Sequence, residues 1–197
     1  AYAASNSSAD KPATVRLVLS TNIYRTLDVS TGKNIILEMA DGVTLLFNAS
    51  IGVRVNGGNF TLNSGTIQIK GNYPRGILVR SGGAAWINGG SVKAEGASTV
   101  CIRVEDASSS LHINGGDFSG TTAIYFAGGT ATISGGDFSG TTAIYFARGT
   151  ATISGGTFSS TGTGDSQTVF RSGVYGVSVV DLIAEGHLIY DEDGNRV

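Results

Sequence analysis

From Val53 to Phe158 the chain alternates apolar and polar positions in short runs, and glycine-rich turns separate the runs. A period of two is the mark of strands with one face buried. The runs themselves recur. Gly116 to Ala127 returns twenty residues later as Gly136 to Ala147, and Gly129 to Gly136 returns as Gly149 to Gly156. One unit reads as a strand (Ala123 to Phe126), a Gly128-Gly129 turn, a second strand (Thr130 to Ile133), a Ser134-Gly135-Gly136 turn and a third segment starting at Phe138. Three strands in about twenty residues make one coil of a triangular solenoid, whose coils stack about 4.8 Å apart.

Weaker copies extend the pattern toward the N-terminus through Val53 to Ile67, Ile77 to Val92 and Val100 to Phe118. The third-segment anchors Ile67, Val92, Phe118, Phe138 and Phe158 are spaced by 25, 26, 20 and 20 residues. The longer coils place their extra residues in turns, at Gly71 to Arg75 and Glu105 to Ser109, where a solenoid tolerates insertions. Alternation then assigns three inward columns: Val53/Ile77/Ile102/Ile124/Ile144, Val55/Val79/Val104/Phe126/Phe146 and Leu62/Ile87/Ile113/Ile133/Ile153. Burying five or six aliphatic side chains per coil, at about 25 cal/mol per Å² of apolar surface, outweighs any polar contribution. The turn positions Asn63, Asn88, Asn114, Ser134 and Ser154 predict a polar ladder.

The predicted fold class is all-β, a right-handed single-stranded parallel β-helix with three strands per coil, 20–26 residues per coil and seven or eight coils. Its hand follows from the general right-handed crossover preference. Val15 to Leu19, Ile35 to Met39 and Val43 to Phe47 read as entry strands without the double-glycine punctuation. Val180 to Glu185 reads as a short helix stopped by Gly186, followed by an Asp193-Gly194 hairpin, and together these would cap the last coil. The expected division is a lead-in at 1–14, the β-helix at 15–173 and the cap at 174–197.

Composition agrees with an elongated β-structure. The 197 residues include 30 glycines, two prolines and 14% charged residues, against roughly 25% charged in an ordinary soluble domain. A net charge of −2 supplies no field for nucleic acid or an anionic membrane, so neither is an expected partner. No apolar run is long enough to span a bilayer. Cys101 is the single cysteine and is expected to fill a sheet position.

The Val15 to Phe47 opening with its Gly32-Lys33 turn, the Ile-x-Gly-Gly-x-Phe units at Ile113, Ile133 and Ile153, and the Leu182-Ile183-Ala184-Glu185-Gly186 step before the Asp-Gly hairpin resemble extracellular bacterial right-handed parallel β-helix repeat surface proteins, with the pectate-lyase-like solenoid fold. That resemblance implies secretion or attachment to a cell wall. It leaves activity open, because lyases, hydrolases, adhesins and carbohydrate-binding modules share the architecture.

Two outward columns carry candidate binding residues. The first strand presents Arg54, Leu78, Arg103, Tyr125 and Tyr145. Tyrosines one coil apart beside guanidiniums suit sugar rings and uronate carboxylates, and they also suit plain strand packing. The second strand presents Thr61, Trp86, His112, Thr132 and Thr152. Trp86 is the sole tryptophan and is either a contact residue for a glycan or protein or covered by a loop such as Asn72 to Gly76. His112 lacks the neighbours of a metal ligand. The Thr-x-Thr rows at Thr130/Thr132 and Thr150/Thr152 span too few coils for an ice-binding face. Asp117 and Asp137 are turn formers rather than a calcium site.

Catalysis on this fold needs converging acids, and Glu95, Glu105, Asp106 and Asp165 read as scattered over turns, with no acid assignable to Arg80, Arg103 or Arg148. The expectation is therefore a non-catalytic, monomeric secreted or cell-surface module of a bacterial adhesin-like protein, without cofactor or metal, that displays a rigid face to a glycan. The alternatives are a structural stalk and a polysaccharide lyase or hydrolase. The candidate ligand-binding residues are Tyr125, Tyr145, Arg103, Arg54, Trp86 and His112.

Overall fold

The structure is a computed structural model and describes residues 7–162 and 168–172. The predicted cap at 174–197 and Asp165 lie outside the described residues. Strands follow one another around a triangle. The first coil holds β1 (Ala13–Leu17), β2 (Thr21–Ile23) and β3 (Leu27–Ser30), and the second β4 (Asn34–Met39), β5 (Thr44–Phe47) and β6 (Ile51–Asn56). Next come β7 (Asn59–Leu62), β8 (Thr66–Lys70) and β9 (Arg75–Arg80), then β10 (Ala84–Ile87), β11 (Ser91–Glu95) and β12 (Val100–Val104). The remaining coils are β13 (Ser110–Ile113), β14 (Asp117–Ser119) and β15 (Thr122–Phe126), β16 (Thr130–Ile133), β17 (Asp137–Gly140) and β18 (Thr142–Phe146), and β19 (Thr150–Ile153), β20 (Thr157–Ser160) and β21 (Thr168–Ser172).

Every third strand pairs in parallel, which gives three seven-stranded sheets: β1 to β19 in sheet 1, β2 to β20 in sheet 2 and β3 to β21 in sheet 3. This is the parallel β-helix that the periodicity predicts, of the right-handed type that the crossover preference predicts, with about six turns between the first and last strand of a sheet. The register reproduces the expected columns. Ile77 pairs with Val53 and Ile102, Ile124 with Ile102 and Ile144, and Ile87 with Leu62 and Ile113. All fifteen residues of the three inward columns are buried, none more than 3% exposed.

Two corrections concern the sequence reading. β1 runs from Ala13 and stops at Leu17, so Val18 and Leu19 leave the sheet and are 74% and 77% exposed. Alternation alone extends a strand through them; the chain instead turns there toward β2. Leu78 points outward by register but is 1% exposed. Its column neighbours are Arg54 and Arg103, and the aliphatic stems of arginines cover apolar surface while the charged ends reach water.

The double-glycine turns follow from crowding along the axis. In the Gly89-Gly90 and Gly115-Gly116 turns the second glycine takes positive φ, +82° at Gly90 and +106° at Gly116, whereas in Gly57-Gly58 and Gly82-Gly83 the first does, at +77° and +76°. A Cβ on Gly90 would lie 2.5 Å from the Gly65 oxygen, and one on Gly116 2.7 Å from the Gly90 oxygen, each in the preceding coil. Only glycine meets both demands without strain.

Candidate functional site

The sequence-predicted residues divide between two sheets and do not form one site. Arg54, Arg103, Tyr125 and Tyr145 lie on sheet 3, in a single outward column that begins at Asp28 and ends at Arg171. Trp86 and His112 lie on sheet 1.

Most residues of the sheet 3 column meet a charged or aromatic partner within it. Arg54 grips Asp28 in a two-point pair, Nε to Oδ1 and Nη2 to Oδ2, the latter at 2.9 Å. The hydrogen bond from Arg54 to Asp28 raises the Arg54 pKa against the opposing effect of burial. The Arg103 guanidinium lies 4.4 Å from the Tyr125 ring centre. Tyr125 meets Tyr145 edge-on with centroids 4.7 Å apart, and Arg171 lies 5.2 Å from the Tyr145 ring. Arg103 Nε is buried and touches Glu105 Oε1 at 3.3 Å without hydrogen-bond geometry, while Arg80 reaches the other Glu105 oxygen at 3.6 Å. This corrects the expectation that Arg80 and Arg103 lack acidic partners. The acid sits two residues beyond Arg103 on the turn leaving β12, and it reaches across a coil to Arg80. Each of these arginines thus has an acid or a tyrosine ring as its neighbour.

Sheet 1 differs. Trp86 and His112 are register partners one coil apart, with ring centroids at 5.4 Å and planes inclined by 11°. Both are half-buried, and the cover on Trp86 includes the His112 ring itself. Beside them the predicted polar ladder forms from Asn63 to Ser134 with a uniform direction, while Ser154 Oγ donates to the Ile133 carbonyl at 3.4 Å. Ser134 Oγ donates to Asn114 Oδ1 at 3.1 Å, Asn114 Nδ2 to Asn88 Oδ1 at 2.9 Å, Asn88 Nδ2 to Asn63 Oδ1 at 2.9 Å, and Asn63 Nδ2 to Glu38 Oε1 at 3.2 Å. Arg16 Nε closes the chain on Glu38 Oε2 at 2.8 Å. The hydrogen bonds from Arg16 and then Asn63 hold the Glu38 carboxyl below the usual range. Each ladder amide spends one N–H and one lone pair on its neighbours and keeps one N–H and one lone pair for solvent or a ligand.

Several other acids pair within the fold. Glu95 ends β11 rather than lying on a turn, and it pairs with Lys70 at 2.9 Å and accepts from Gln68. Asp106 gathers the Ser81 backbone N–H with the Ser108 and Ser109 hydroxyls, both at 2.8 Å, and so fixes the turn after β12. Asp117 and Asp137 are exposed register partners, and Asp117 accepts from Ser91 Oγ at 3.1 Å. Among the described residues no group of three or more His, Cys, Asp or Glu side chains converges, and no helix is long and apolar enough to cross a membrane. Comparison of the chain with protein-family models, with curated proteins and with solved structures finds no match.

Proposed function

We propose that the chain is a non-catalytic display module of a secreted or wall-attached bacterial surface protein, and that it binds a glycan on the outer face of sheet 1. The observation that carries this reading is the Trp86–His112 ring pair beside an amide ladder with spare donors and acceptors. An aromatic face takes the apolar face of a pyranose, and neighbouring amides take its hydroxyls. The extracellular, bacterial setting rests on the resemblance of the opening and repeat motifs to β-helix surface proteins. A glycan array tests the function: selective binding by the parent chain and its loss on Trp86→Ala are expected, while equal binding by both proteins would refute it. A stalk role is the second reading, favoured by the self-paired column from Asp28 to Arg171, which stiffens one side of the solenoid along its length. Retention of the fold with silence across the whole array would leave that reading standing.

A further inference from the structure

The ring pair on sheet 1 is a wall, not a floor. Trp86 and His112 sit in the same column on adjacent coils, and their planes are nearly parallel and face each other. Stacking of that kind turns the ring faces along the solenoid axis and the ring edges outward. The inner faces cover each other. Past Trp86 the next residue of the column is Thr61, and past His112 it is Thr132. Both are small residues, so each side of the wall is a step with a threonine as its tread.

The two steps are not equivalent. On the Trp86 side the tread continues from Thr61 to Ile36, and the same strand face carries Asn59 and, just beyond β7, Asn63. Two residues along a strand is about 6.6 Å, so these amides flank the tread at that distance on either side. On the His112 side the flanking positions are the hydroxyls of Thr130 and Ser134, and the ring is smaller. The indole offers the larger apolar face, and a carboxamide offers both a donor and an acceptor to a pair of hydroxyls.

The nearest acid is already engaged. Glu38 is held by Arg16 and Asn63, while Lys33, next to Asn34, is turned to the Ser7 carbonyl at 3.1 Å and keeps its charge. A carboxylate placed against Asn63 would meet the Glu38 carboxylate that Asn63 already bonds at 3.2 Å, and like charges there repel.

Resting on the glycan-binding reading above, we infer that the step formed by the outer face of Trp86 and the Thr61 tread seats one neutral pyranose ring, with Asn63 and Asn59 bonding its hydroxyls. The ring stands on edge across the coil, with its apolar face against the indole. The binding determinant is thus a single neutral hexose or N-acetylhexosamine unit of a longer chain, not a stretch of uronate polymer laid along the arginine column.

Trp86 is the only tryptophan, so its emission reports directly on the step. The probes are neutral hexose and N-acetylhexosamine oligosaccharides and, separately, oligouronates. Saturable change in Trp86 emission with a neutral probe is expected. Thr61→Arg should weaken it by at least about tenfold, because a guanidinium laid on the indole occupies the seat as Arg103 occupies the Tyr125 face. Thr132→Arg, on the far side of the wall, should leave affinity within about twofold. Thr61→Leu is a second blocking variant with no new charge, and far-UV circular dichroism checks that each variant keeps the fold. Glycan binding lost through Thr132→Arg but not Thr61→Arg would overturn the inference while leaving the glycan reading intact. Response to oligouronates alone would overturn the neutral specificity. Response to no saccharide in either set would overturn the glycan reading itself.

Discussion

Phe138 gives the most direct measure of what holds the coils together. Its ring lies between those of Phe118 and Phe158, with both centroid separations 4.8 Å and plane angles of 6° and 7°. It is 1% exposed. That separation is the strand repeat itself, so the stack costs the backbone no adjustment. Replacing Phe138 with leucine keeps an apolar group of similar bulk but removes two ring–ring contacts. At about 0.5–1.5 kcal/mol per aromatic pair, the loss should be about 1–3 kcal/mol. Alanine also opens a cavity and should cost about 3–5 kcal/mol. Urea unfolding followed by circular dichroism measures both. A double-mutant cycle of Phe118→Leu with Phe138→Leu isolates one stack, and a coupling of about 0.5–1.5 kcal/mol is expected. Additive losses, with no coupling, would refute the claim that the rings contribute more than their buried area. Trp86 emission, recorded in the same experiment, reports whether a loss in the sixth coil unfolds the fourth, since neighbouring repeats share stability through their interfaces.

Three further outcomes follow from single positions. Glu38 and Glu95 are held below the ordinary value of 4.5, Glu38 by hydrogen bonds from Arg16 then Asn63 and Glu95 by hydrogen bonds from Lys70 then Gln68; their stabilisation is therefore complete above pH 4.5 and lost as pH falls through the lowered values, so the urea midpoint should drop on that acid side and drop less in Glu38→Gln. Burial pushes the Cys101 thiol up to about 12 from 9.0, so a disulfide reagent at pH 8 should label the native chain only as fast as it opens, and stability should fall as pH rises above 9 because the unfolded chain then releases a proton that the folded chain keeps; prompt labelling without denaturant would contradict the burial. Gly90→Ala forces a Cβ to 2.5 Å from the Gly65 oxygen at φ +82° and should cost more than about 1 kcal/mol by the same unfolding assay.

The core columns were legible in the sequence because a solenoid turns sequence period into spatial adjacency. Once Ile124 and Ile144 align by repeat, their pairing in space follows, and so does the amide ladder from Asn63 to Ser134. The partners of the arginines were not legible for the same reason inverted. Asp28 lies in the first coil, which lacks the double-glycine punctuation that fixes register, so nothing in the chain aligned it with Arg54 26 residues later. Glu105 lies on a turn, outside the alternating positions, and its reach to Arg80 and Arg103 depends on the path of that turn. Orientation was the other hidden quantity. The column placed Trp86 next to His112, but only side-chain geometry shows that the rings stand face to face.

That geometry separates surface residues that hold the solenoid from those with binding capacity left over. In a parallel β-helix every outward residue has a like-placed neighbour about 4.8 Å above and below, so proximity of aromatics and arginines is no sign of a site: the fold produces it at every column. What differs between columns is saturation. From Asp28 to Arg54, and again from Glu105 through Arg103, Tyr125 and Tyr145 to Arg171, each side chain has a charged or aromatic neighbour next to it. On sheet 1 the sequence of side chains breaks off instead: two rings stack on each other and then give way to a threonine on each side. A large apolar face ending against a small residue, with half-used amides alongside, is a complementarity the chain does not itself complete. Filling it from within, by Thr61→Arg, should make sheet 1 resemble sheet 3, raising stability slightly through a cation–π contact of about 0.5–1 kcal/mol while removing the ligand. A variant that gained that stability and still bound saccharide at the same face would show that saturation is the wrong criterion.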